Sequence, residues 1–448
     1  MRMRRLPLVL IGAAAGATLT VLALQSGPFA AGTDTAGETA NATYRQLELF
    51  GRIFDIVRAD YVDKPDDQKL IESAVNGMVS GLDPHSNFMD RKAFRDMQVE
   101  TSGRFGGLGI EVTQEDGLIK VVTPIDGTPA AKAGILANDV ITALDGQPAK
   151  GLSLQEAVEK MRGEPGSKLR LQILRKDQAK PIELEITREV IKVRTVRSRA
   201  EGGDVGYLRI TQFNEHAGDE LAHAIGELAA AIPADRLKGY ILDLRNNPGG
   251  LLDEAVAVSN VFLGRGEIVS IRGRDPDDIQ RFDAKPTPGD LTAGKPLIVL
   301  VNGGSASASE IVSGALQDLK RATIVGTRSF GKGSVQTIIP LGGDTGALRL
   351  TTARYYTPSG RSIQAMGISP DIEIKQDEPA GKPGTGDMTS EAGLRGHLAA
   401  TGSEQKGSQA YVPTDAKDDK ALNLALDLLR GTKTNPAFPP NSSVAVRK

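Results

Sequence analysis

The chain has 448 residues, of which 40% are hydrophobic and 25% are charged, and its formal net charge is −2. This composition is typical of a soluble globular protein of two or three domains, and a charge so near zero argues against nucleic-acid binding. The chain contains no cysteine, which excludes a cysteine nucleophile, a disulfide framework and thiolate metal sites. The four histidines are scattered without the spacing of metal ligands, so we expect no zinc site.

Residues 1–31 are predicted to be a signal peptide or an N-terminal membrane anchor. Arg2, Arg4 and Arg5 form a basic start, and residues 6–24 are apolar or small throughout. That run is close to the ~20 residues of a bilayer span, and small residues after it would also permit cleavage, so both alternatives stay open. In either case the basic flank predicts that the remaining chain is exported, to the periplasm or cell envelope.

Residues 44–98 are predicted to form an N-terminal helical segment. Leu47, Phe50 and Ile53 recur at steps of three residues, which is the spacing of an amphipathic helix. His85 follows in a stretch rich in Gly, Asp and Pro. We interpret it as a residue that caps this turn rather than as a catalytic base.

Residues 99–190 have a different pattern and are predicted to form a small β-rich domain. Glycines cluster between residues 103 and 109, and short strand-like runs follow, separated by turns such as 144–147. A module of ~90 residues with this pattern is large enough to fold around its own core.

Residues 191–375 are predicted to be an α/β core. Strand patterns alternate here with helical ones, and the predicted strands are 205–210, 239–244, 297–301, 322–326 and 348–355. The run 297–301 is apolar at every position, which is typical of a sheet buried on both faces.

The C-terminal part is predicted to contain little structure. Residues 376–420 are rich in Gly, Pro, Ser, Thr and charge, a composition that predicts a disordered linker. Residues 421–448 are predicted to contain one amphipathic helix, ending at Gly431, and a tail.

Ser307 is the strongest candidate for a catalytic residue. The buried strand 297–301 ends in the small residues of Asn-Gly-Gly-Ser-Ala-Ser, and a helical pattern starts after Ser307. A hydroxyl at this junction lies at the positive end of a helix, where backbone N–H groups can hold an oxyanion. The alternative is structural, because Ser307 and Glu310 also have the spacing of a capping box.

Lys332 is the candidate base, because no histidine lies in an equivalent loop. A lysine with the ordinary pKa of about 10.4 is protonated at neutral pH, but burial lowers that pKa and makes the amine a usable base. Gln336 lies four residues further on and could orient the amine.

The segment from Gly326 to Lys332 also resembles a phosphate-binding loop of the G-x-x-x-x-G-K-[ST] type. The next residue is Gly333 instead of Ser or Thr, and residues 334–339 alternate like a strand instead of continuing as a helix. A phosphate-binding loop needs both features. We therefore disfavour a nucleotidase.

Together with a third motif, Asp-Leu-Arg-Asn-Asn-Pro-Gly-Gly at residues 243–250, these segments resemble the carboxyl-terminal processing peptidases, a tail-specific serine protease family with a PDZ domain. The resemblance implies an α/β protease core with an inserted small β-rich PDZ-like domain and an N-terminal helical segment. It implies that Ser307 is the nucleophile, Lys332 its base and Gln336 the residue that orients the lysine.

The same resemblance assigns the oxyanion hole to backbone N–H groups. One belongs to Ala308 and the other to Gly249 or Gly250, between which the sequence does not decide. The acyl-enzyme reaction that the resemblance implies needs no metal or cofactor.

The resemblance also identifies residues 99–190 as the PDZ-like domain that recognises the substrate's C-terminus. Its carboxylate-binding loop would comprise Gly107, Leu108, Gly109 and Ile110, with the substrate tail added as a strand. Arg162 matches an arginine that links ligand binding to the protease core in some family members, although a solvated surface arginine is an equal alternative.

The implied function is an exported serine endopeptidase that cleaves protein or peptide substrates with unstructured C-termini. It would act without nucleic acid, with N-terminal membrane anchorage and homo-oligomerisation left open. The alternative is a PDZ-bearing scaffold or chaperone with an inactive protease core. The complete Ser–Lys–Gln set favours the peptidase.

Overall fold

The computed structural model describes residues 35–176, 178, 180–343, 345–377 and 390–440. The chain divides into two compact units, residues 1–74 and 75–448. The predicted signal peptide or anchor lies outside the described residues. Within the described ranges, no helix is both long enough and apolar enough to cross a membrane.

The first unit is helical. Helix α1 spans Thr35–Asp60, and α2 starts in this unit and spans Asp67–Ser80. Large apolar side chains of α1, among them Leu47, Phe50 and Ile53, are exposed.

The second unit begins with the end of α2, followed by strand β1 (Asn87–Met89) and helix α3 (Arg91–Ser102). Asp90 caps α3 by accepting the N–H of Ala93 at 2.7 Å. The helix ends at Gly103, whose φ of 62° is left-handed, a conformation that glycine adopts at no steric cost.

A β-rich domain follows α3. Its elements are β2 (Arg104–Gly107), β3 (Ile110–Glu115), β4 (Leu118–Pro124), α4 (Pro129–Lys132), β5 (Val140–Leu144), β6 (Gln147–Pro148), α5 (Leu154–Met161), β7 (Lys168–Leu174), β8 (Ile182–Thr187) and β9 (Glu189–Lys192). Five strands form an antiparallel sheet in the order β3-β4-β5-β7-β8, while β2 pairs with β9. Ile119, Val121 and Ile141 are among the buried side chains of its own hydrophobic core.

The α/β core is built on a six-stranded sheet in the order β10-β11-β12-β15-β16-β19. Its elements are β10 (Val196–Glu201), β11 (Val205–Ile210), α6 (Ala217–Ala231), β12 (Gly239–Asp243), α7 (Leu252–Asn260), β15 (Leu297–Val301), α8 (Ala308–Asp318), β16 (Thr323–Gly326) and β19 (Ile372–Glu373). All neighbouring strands are parallel except β10 and β11. The carboxyl ends of the parallel strands therefore meet at one edge, where a site can form.

A second sheet packs beside this core. It contains β1, β13 (Glu267–Arg272), β14 (Ile279–Asp283), β17 (Ser334–Pro340) and β18 (Ala347–Tyr356), with β18 in contact with three of the others. Since β17 begins at Ser334, two residues after Lys332, a strand stands where a phosphate-binding loop would require a helix. This geometry agrees with the rejection of a nucleotide-binding loop.

The central sheet is buried on both faces, as the apolar run of β15 predicts. Val299 and Val301 face the cluster that contains α6, α7 and α8. Ile298 and Leu300 face the opposite cluster, to which helix α9 (Lys420–Arg430) contributes Leu422, Ala425, Leu428 and Leu429. The C-terminal helix is thus the cover of the second face.

The prediction of a disordered linker over 376–420 needs correction for residues 390–420, which lie against the core. The Gly303 N–H donates to the Gln409 carbonyl at 3.0 Å, and the Gln405 N–H donates to the Ala365 carbonyl at 3.0 Å. Backbone hydrogen bonds of this kind do not depend on side-chain composition, so a rule based on composition could not identify the segment.

Candidate active site

Ser307 occupies a strained turn between β15 and α8. Its φ of 55° and ψ of −112° lie outside the regions that residues with a side chain normally adopt. Such strain is characteristic of functional positions, and a serine on a sharp strand-to-helix turn is the geometry of a nucleophile elbow. The turn is tight enough to require glycine, since a Cβ on Gly304 would lie 2.4 Å from Oδ1 of Asn246.

The buried Glu310 carboxylate connects the Ser307 turn with the Lys332 loop. Its Oε2 accepts the N–H of Ser307 at 2.8 Å and the N–H of Lys332 at 2.9 Å. Its Oε1 accepts the Ser329 hydroxyl at 2.5 Å and the Gly331 N–H at 2.7 Å. One oxygen atom therefore holds the backbones of both candidate catalytic residues.

The sequence indicated only part of this role, because Glu310 was recognised as the partner of Ser307 in a capping box. Its bonds to the loop of Lys332 cross 19 to 22 positions and have no local pattern. Complete burial raises the pKa of Glu310 to about 7, against four hydrogen-bond donors that favour the carboxylate.

Lys332 is partly buried beside this turn. Burial lowers the pKa of its amine below the ordinary value, and the positive charge of Arg349 acts in the same direction. The carboxylates of Glu391, Glu310 and Asp83 oppose this shift. A lysine whose pKa is lowered in this way has the property that a general base requires.

Tyr355 on β18 is a site residue that the sequence did not indicate. Its side chain is 5% exposed and forms a hydrogen bond with the Ser307 side chain. Burial raises the pKa of Tyr355 to about 12, so its phenol stays protonated at neutral pH. Nothing in an alternating strand sequence distinguishes this tyrosine from its neighbours.

Gln336 lies on β17 at a β-bulge. Its amide nitrogen donates to the hydroxyls of Ser334 at 3.0 Å and Thr351 at 3.1 Å. Thr351 in turn donates to Asp83 at 3.1 Å. In the part of the chain that the structure describes, no hydrogen bond joins Gln336 to Lys332, so the proposed orienting contact is not present in this arrangement.

Of the two candidate oxyanion glycines, Gly249 lies against the serine. A Cβ on Gly249 would lie 2.8 Å from the Ser307 Cβ and 3.0 Å from the Ala308 nitrogen. A Cβ on Gly250 would instead meet the Phe213 carbonyl at 2.1 Å. The Gly249 N–H itself donates to Oδ1 of Asn247 at 2.9 Å.

The predicted carboxylate-binding loop lines a cavity of about 120 Å³ in the β-rich domain. The lining residues are Phe105, Gly107, Leu108, Gly109, Ile110, Val158, Met161 and Arg162. The Arg162 guanidinium carbon lies 4.9 Å from the centre of the Phe105 ring, as in a cation–π contact.

His85 does not cap its turn. The Asp83 carboxylate does so by accepting the backbone N–H groups of His85 at 2.8 Å and Ser86 at 2.9 Å. The His85 ring bonds instead to Glu391 at 2.8 Å. The expectation of a capping histidine is therefore corrected, because the neighbouring aspartate has the shorter reach that this turn needs.

The α/β core places a strained serine at a strand–helix junction, and it is joined to a β-rich domain that contains a cavity. These are the features of a serine peptidase that carries a peptide-binding domain. Comparisons with known proteins agree. Residues 204–374 match Peptidase family S41, residues 106–186 match the PDZ domain, and residues 10–93 match the activating protease CtpB N-terminal domain.

The curated relatives support the same assignment. The chain is 58% identical over 401 residues to the carboxy-terminal-processing protease of Bartonella bacilliformis, a match that covers 89% of this chain and 92% of the relative. It is 35% identical to the carboxy-terminal processing protease CtpA of Bacillus subtilis, covering 77% and 72% of the two chains. A solved structure of a photosystem II D1 C-terminal processing protease is 31% identical with a TM-score of 0.42, covering 73% of this chain and 92% of that chain.

The chain therefore belongs to peptidase family S41 and is a serine peptidase of the carboxy-terminal-processing type with a PDZ domain. The predicted family, the enzyme class and the fold class are confirmed.

Proposed function

We propose that the protein is a serine endopeptidase in which Ser307 is the nucleophile and Lys332 is its base. The observation that supports this most directly is the Glu310 carboxylate, one oxygen of which bonds the N–H groups of both residues. The strained backbone of Ser307 and the lowered pKa of Lys332 add to the same case.

In the proposed reaction the neutral Lys332 amine takes the proton of the Ser307 hydroxyl while Oγ attacks the scissile carbonyl. The oxyanion that forms is held by the N–H of Ala308 together with that of Gly249 or Gly250. If Gly249 contributes, its N–H must leave Asn247 when substrate binds. Lys332 then gives its proton to the leaving amine, and a water molecule hydrolyses the acyl-enzyme with Lys332 again as base.

We further propose that the substrates are proteins or peptides with unstructured C-termini. The tail would bind in the PDZ cavity at Gly107, Leu108, Gly109 and Ile110, and the chain would be cut at Ser307. The names of the relatives, which describe carboxy-terminal processing, support this substrate class. Gln336 would support Lys332 only after its amide turns away from Ser334 and Thr351.

The basic and apolar N-terminus supports a location outside the cytoplasm, in the periplasm or cell envelope. Residues 1–31 would act either as a cleaved signal peptide or as a membrane anchor.

The test is hydrolysis of a tailed peptide by the purified protein, followed by mass spectrometry. Ser307→Ala is expected to lower the rate on the order of a thousandfold or more. Lys332→Arg is expected to be as inactive as Lys332→Ala, because a guanidinium stays protonated. An active Lys332→Arg variant would show that this position supplies charge only.

Ser313→Ala is the matched control. The Ser313 hydroxyl donates at 2.7 Å to the Ser309 carbonyl one turn earlier in the same helix, so its removal should leave most of the activity. Ser305 and Ser309 are less suitable controls, because their hydroxyls bond to the carbonyls of Leu244 and Asn247 and hold the site loops together. Equal loss in Ser307→Ala and Ser313→Ala would contradict the nucleophile assignment.

A further inference from the structure

The C-terminal segment places a buried carboxylate at the Lys332 loop. Glu391 starts the short 3-10 turn Glu391–Gly393, outside the residues that match the peptidase family, and its residue exposure is 0%. Its N–H donates to the Phe330 carbonyl at 3.0 Å, two residues before the lysine. A fully buried acidic residue is rare unless it is paired or has a function.

The Glu391 side chain reaches the other side of the lysine through Gln364. Its Oε1 accepts a hydrogen bond from the side-chain amide nitrogen of Gln364 at 2.9 Å. The side-chain amide oxygen of Gln364 in turn accepts the backbone N–H of Gly333 at 3.1 Å. Direct and relayed hydrogen bonds therefore hold the residues on both sides of Lys332.

The remaining oxygen of Glu391 bonds to the His85 ring at 2.8 Å. Among the charged groups around the Lys332 amine, the carboxylate of Glu391 has the largest effect on its pKa, followed by Arg349, Glu310 and Asp83. Its effect is opposite to that of burial, since a negative charge favours the ammonium form.

We propose that Glu391 is a positioning residue for Lys332: it holds the loop on both sides of the lysine, and its buried negative charge acts on the lysine amine. This inference rests on the proposed role of Lys332 as the base. It means that the segment after residue 390 completes the active site, although the family match ends at residue 374.

Glu391→Gln tests the proposal, because it removes the charge and keeps an oxygen that can accept the Gln364 amide. The acid limb of the kcat/KM profile should move to lower pH by about one unit. A second readout is independent of activity: trace acetylation with acetic anhydride across a pH series, with mass spectrometry of the Lys332 peptide. The labelling midpoint should move in the same direction and by a similar amount.

Glu404→Gln is the matched control. Glu404 lies on the same C-terminal segment and also pairs with a histidine, His397, at 3.0 Å. It is exposed, and it is not one of the groups with the largest effect on the Lys332 amine. Neither the pH limb nor the labelling midpoint should move in this variant. Glu391→Asp, which keeps the charge on a shorter side chain, should keep the wild-type pH limb with a lower kcat.

The outcomes separate the two proposals. If Glu391→Gln lowers activity equally at every pH and the Lys332 labelling midpoint stays in place, Glu391 is only structural and the inference is overturned. If the labelling midpoint moves while the pH limb stays, Glu391 does act on Lys332 but Lys332 is not the base, and the proposed function fails instead. If Glu391→Gln does not fold, a shifted pH limb in Glu391→Asp overturns the inference, because that variant retains the charge.

Discussion

At the scale of single residues, the backbone conformation of Ser307 and the buried environment of Lys332 both lower the stability of the folded state. The backbone of Ser307, with φ of 55°, costs on the order of 1–3 kcal/mol. The amine of Lys332 is placed where burial disfavours its charged form. The hydrogen bonds that the backbone N–H groups of both residues donate to Glu310 offset part of this cost.

Replacing Lys332 by methionine is therefore expected to abolish hydrolysis and to raise Tm at pH 7 by roughly 2–4 °C. The folded pKa of Lys332 lies below its unfolded value, so the unfolded chain binds more protons between these two values. Wild-type stability should rise with pH through that window. Below the folded pKa, the buried ammonium lowers the stability of the folded state by its full amount. The advantage of the methionine variant should accordingly shrink as pH approaches 10.

Thermal unfolding of both proteins between pH 6 and pH 10 measures this difference. Lys375→Met is the control, because Lys375 is exposed and pairs loosely with Glu373 at 3.7 Å. It should give no advantage that depends on pH. A constant difference between wild type and Lys332→Met at all pH values would mean that the lysine is not titrating in this window.

At the scale of elements, the C-terminal helix α9 is fastened to a loop of the candidate active site. Asp419 caps the helix by accepting the Leu422 N–H at 3.0 Å. It also accepts the Arg245 guanidinium at 2.8 Å, and Arg245 bonds to Asp243 at 2.6 Å. All three charged side chains are buried, and Arg245 stands four residues before Gly249.

Asp419→Asn is expected to destabilise the protein by about 2–3 kcal/mol and to lower kcat. Asparagine caps a helix as well as aspartate does, so the loss of stability measures only the buried charge pair. Removing one partner of such a pair is strongly destabilising, because it leaves the other charge buried without a partner. Asp419→Ala should lose about 1 kcal/mol more because the cap is also removed. Urea unfolding gives the stability of each variant.

Asp415→Asn provides the comparison for this pair. Asp415 also accepts a backbone N–H, that of Lys417 at 3.0 Å, but it is exposed. If Asp419→Asn costs no more than Asp415→Asn, the Arg245 contact does not fasten the helix.

The elements also show how far the sequence could predict this molecule. Apolar runs and glycine turns located the core strands and Ser307, because burial and backbone geometry depend on local composition. The role of Lys332 as the base, which its spacing and the family resemblance predict, stays a prediction. Glu391 and Tyr355 were missed, since their contacts join distant segments and have no periodicity. The helix α9 was visible as an amphipathic pattern, but the sheet face that it covers was not.

At the scale of the whole second unit, the PDZ domain is joined to the core close to where the chain enters and leaves it. The Val193 N–H donates to the Gly103 carbonyl at 2.9 Å, so the two connecting segments are paired. Arg104 donates to the His216 ring at 2.8 Å at the start of α6. Leu108 and Met161, which line the cavity of the β-rich domain, belong to one hydrophobic core, and Ala308, the residue after Ser307, belongs to another. Substrate capture and cleavage should therefore be separable by mutation.

Amidation of a substrate's C-terminus is expected to lower kcat/KM about 10- to 100-fold for long tailed peptides. It removes the carboxylate that the backbone N–H groups of the Gly107–Ile110 loop would bind, and hydrogen bonds to a charged group contribute roughly 1.5–3 kcal/mol. Short peptides that cannot reach both sites should show little difference.

Val158→Asp, which puts a negative charge on a residue lining the cavity, should remove the preference for the free acid. Val122→Asp alters an exposed valine of the same domain and should keep that preference. Equal kcat/KM for acid and amide tails with the unaltered protein would rule out carboxylate capture, and it would leave the assignment of Ser307 and Lys332 untouched.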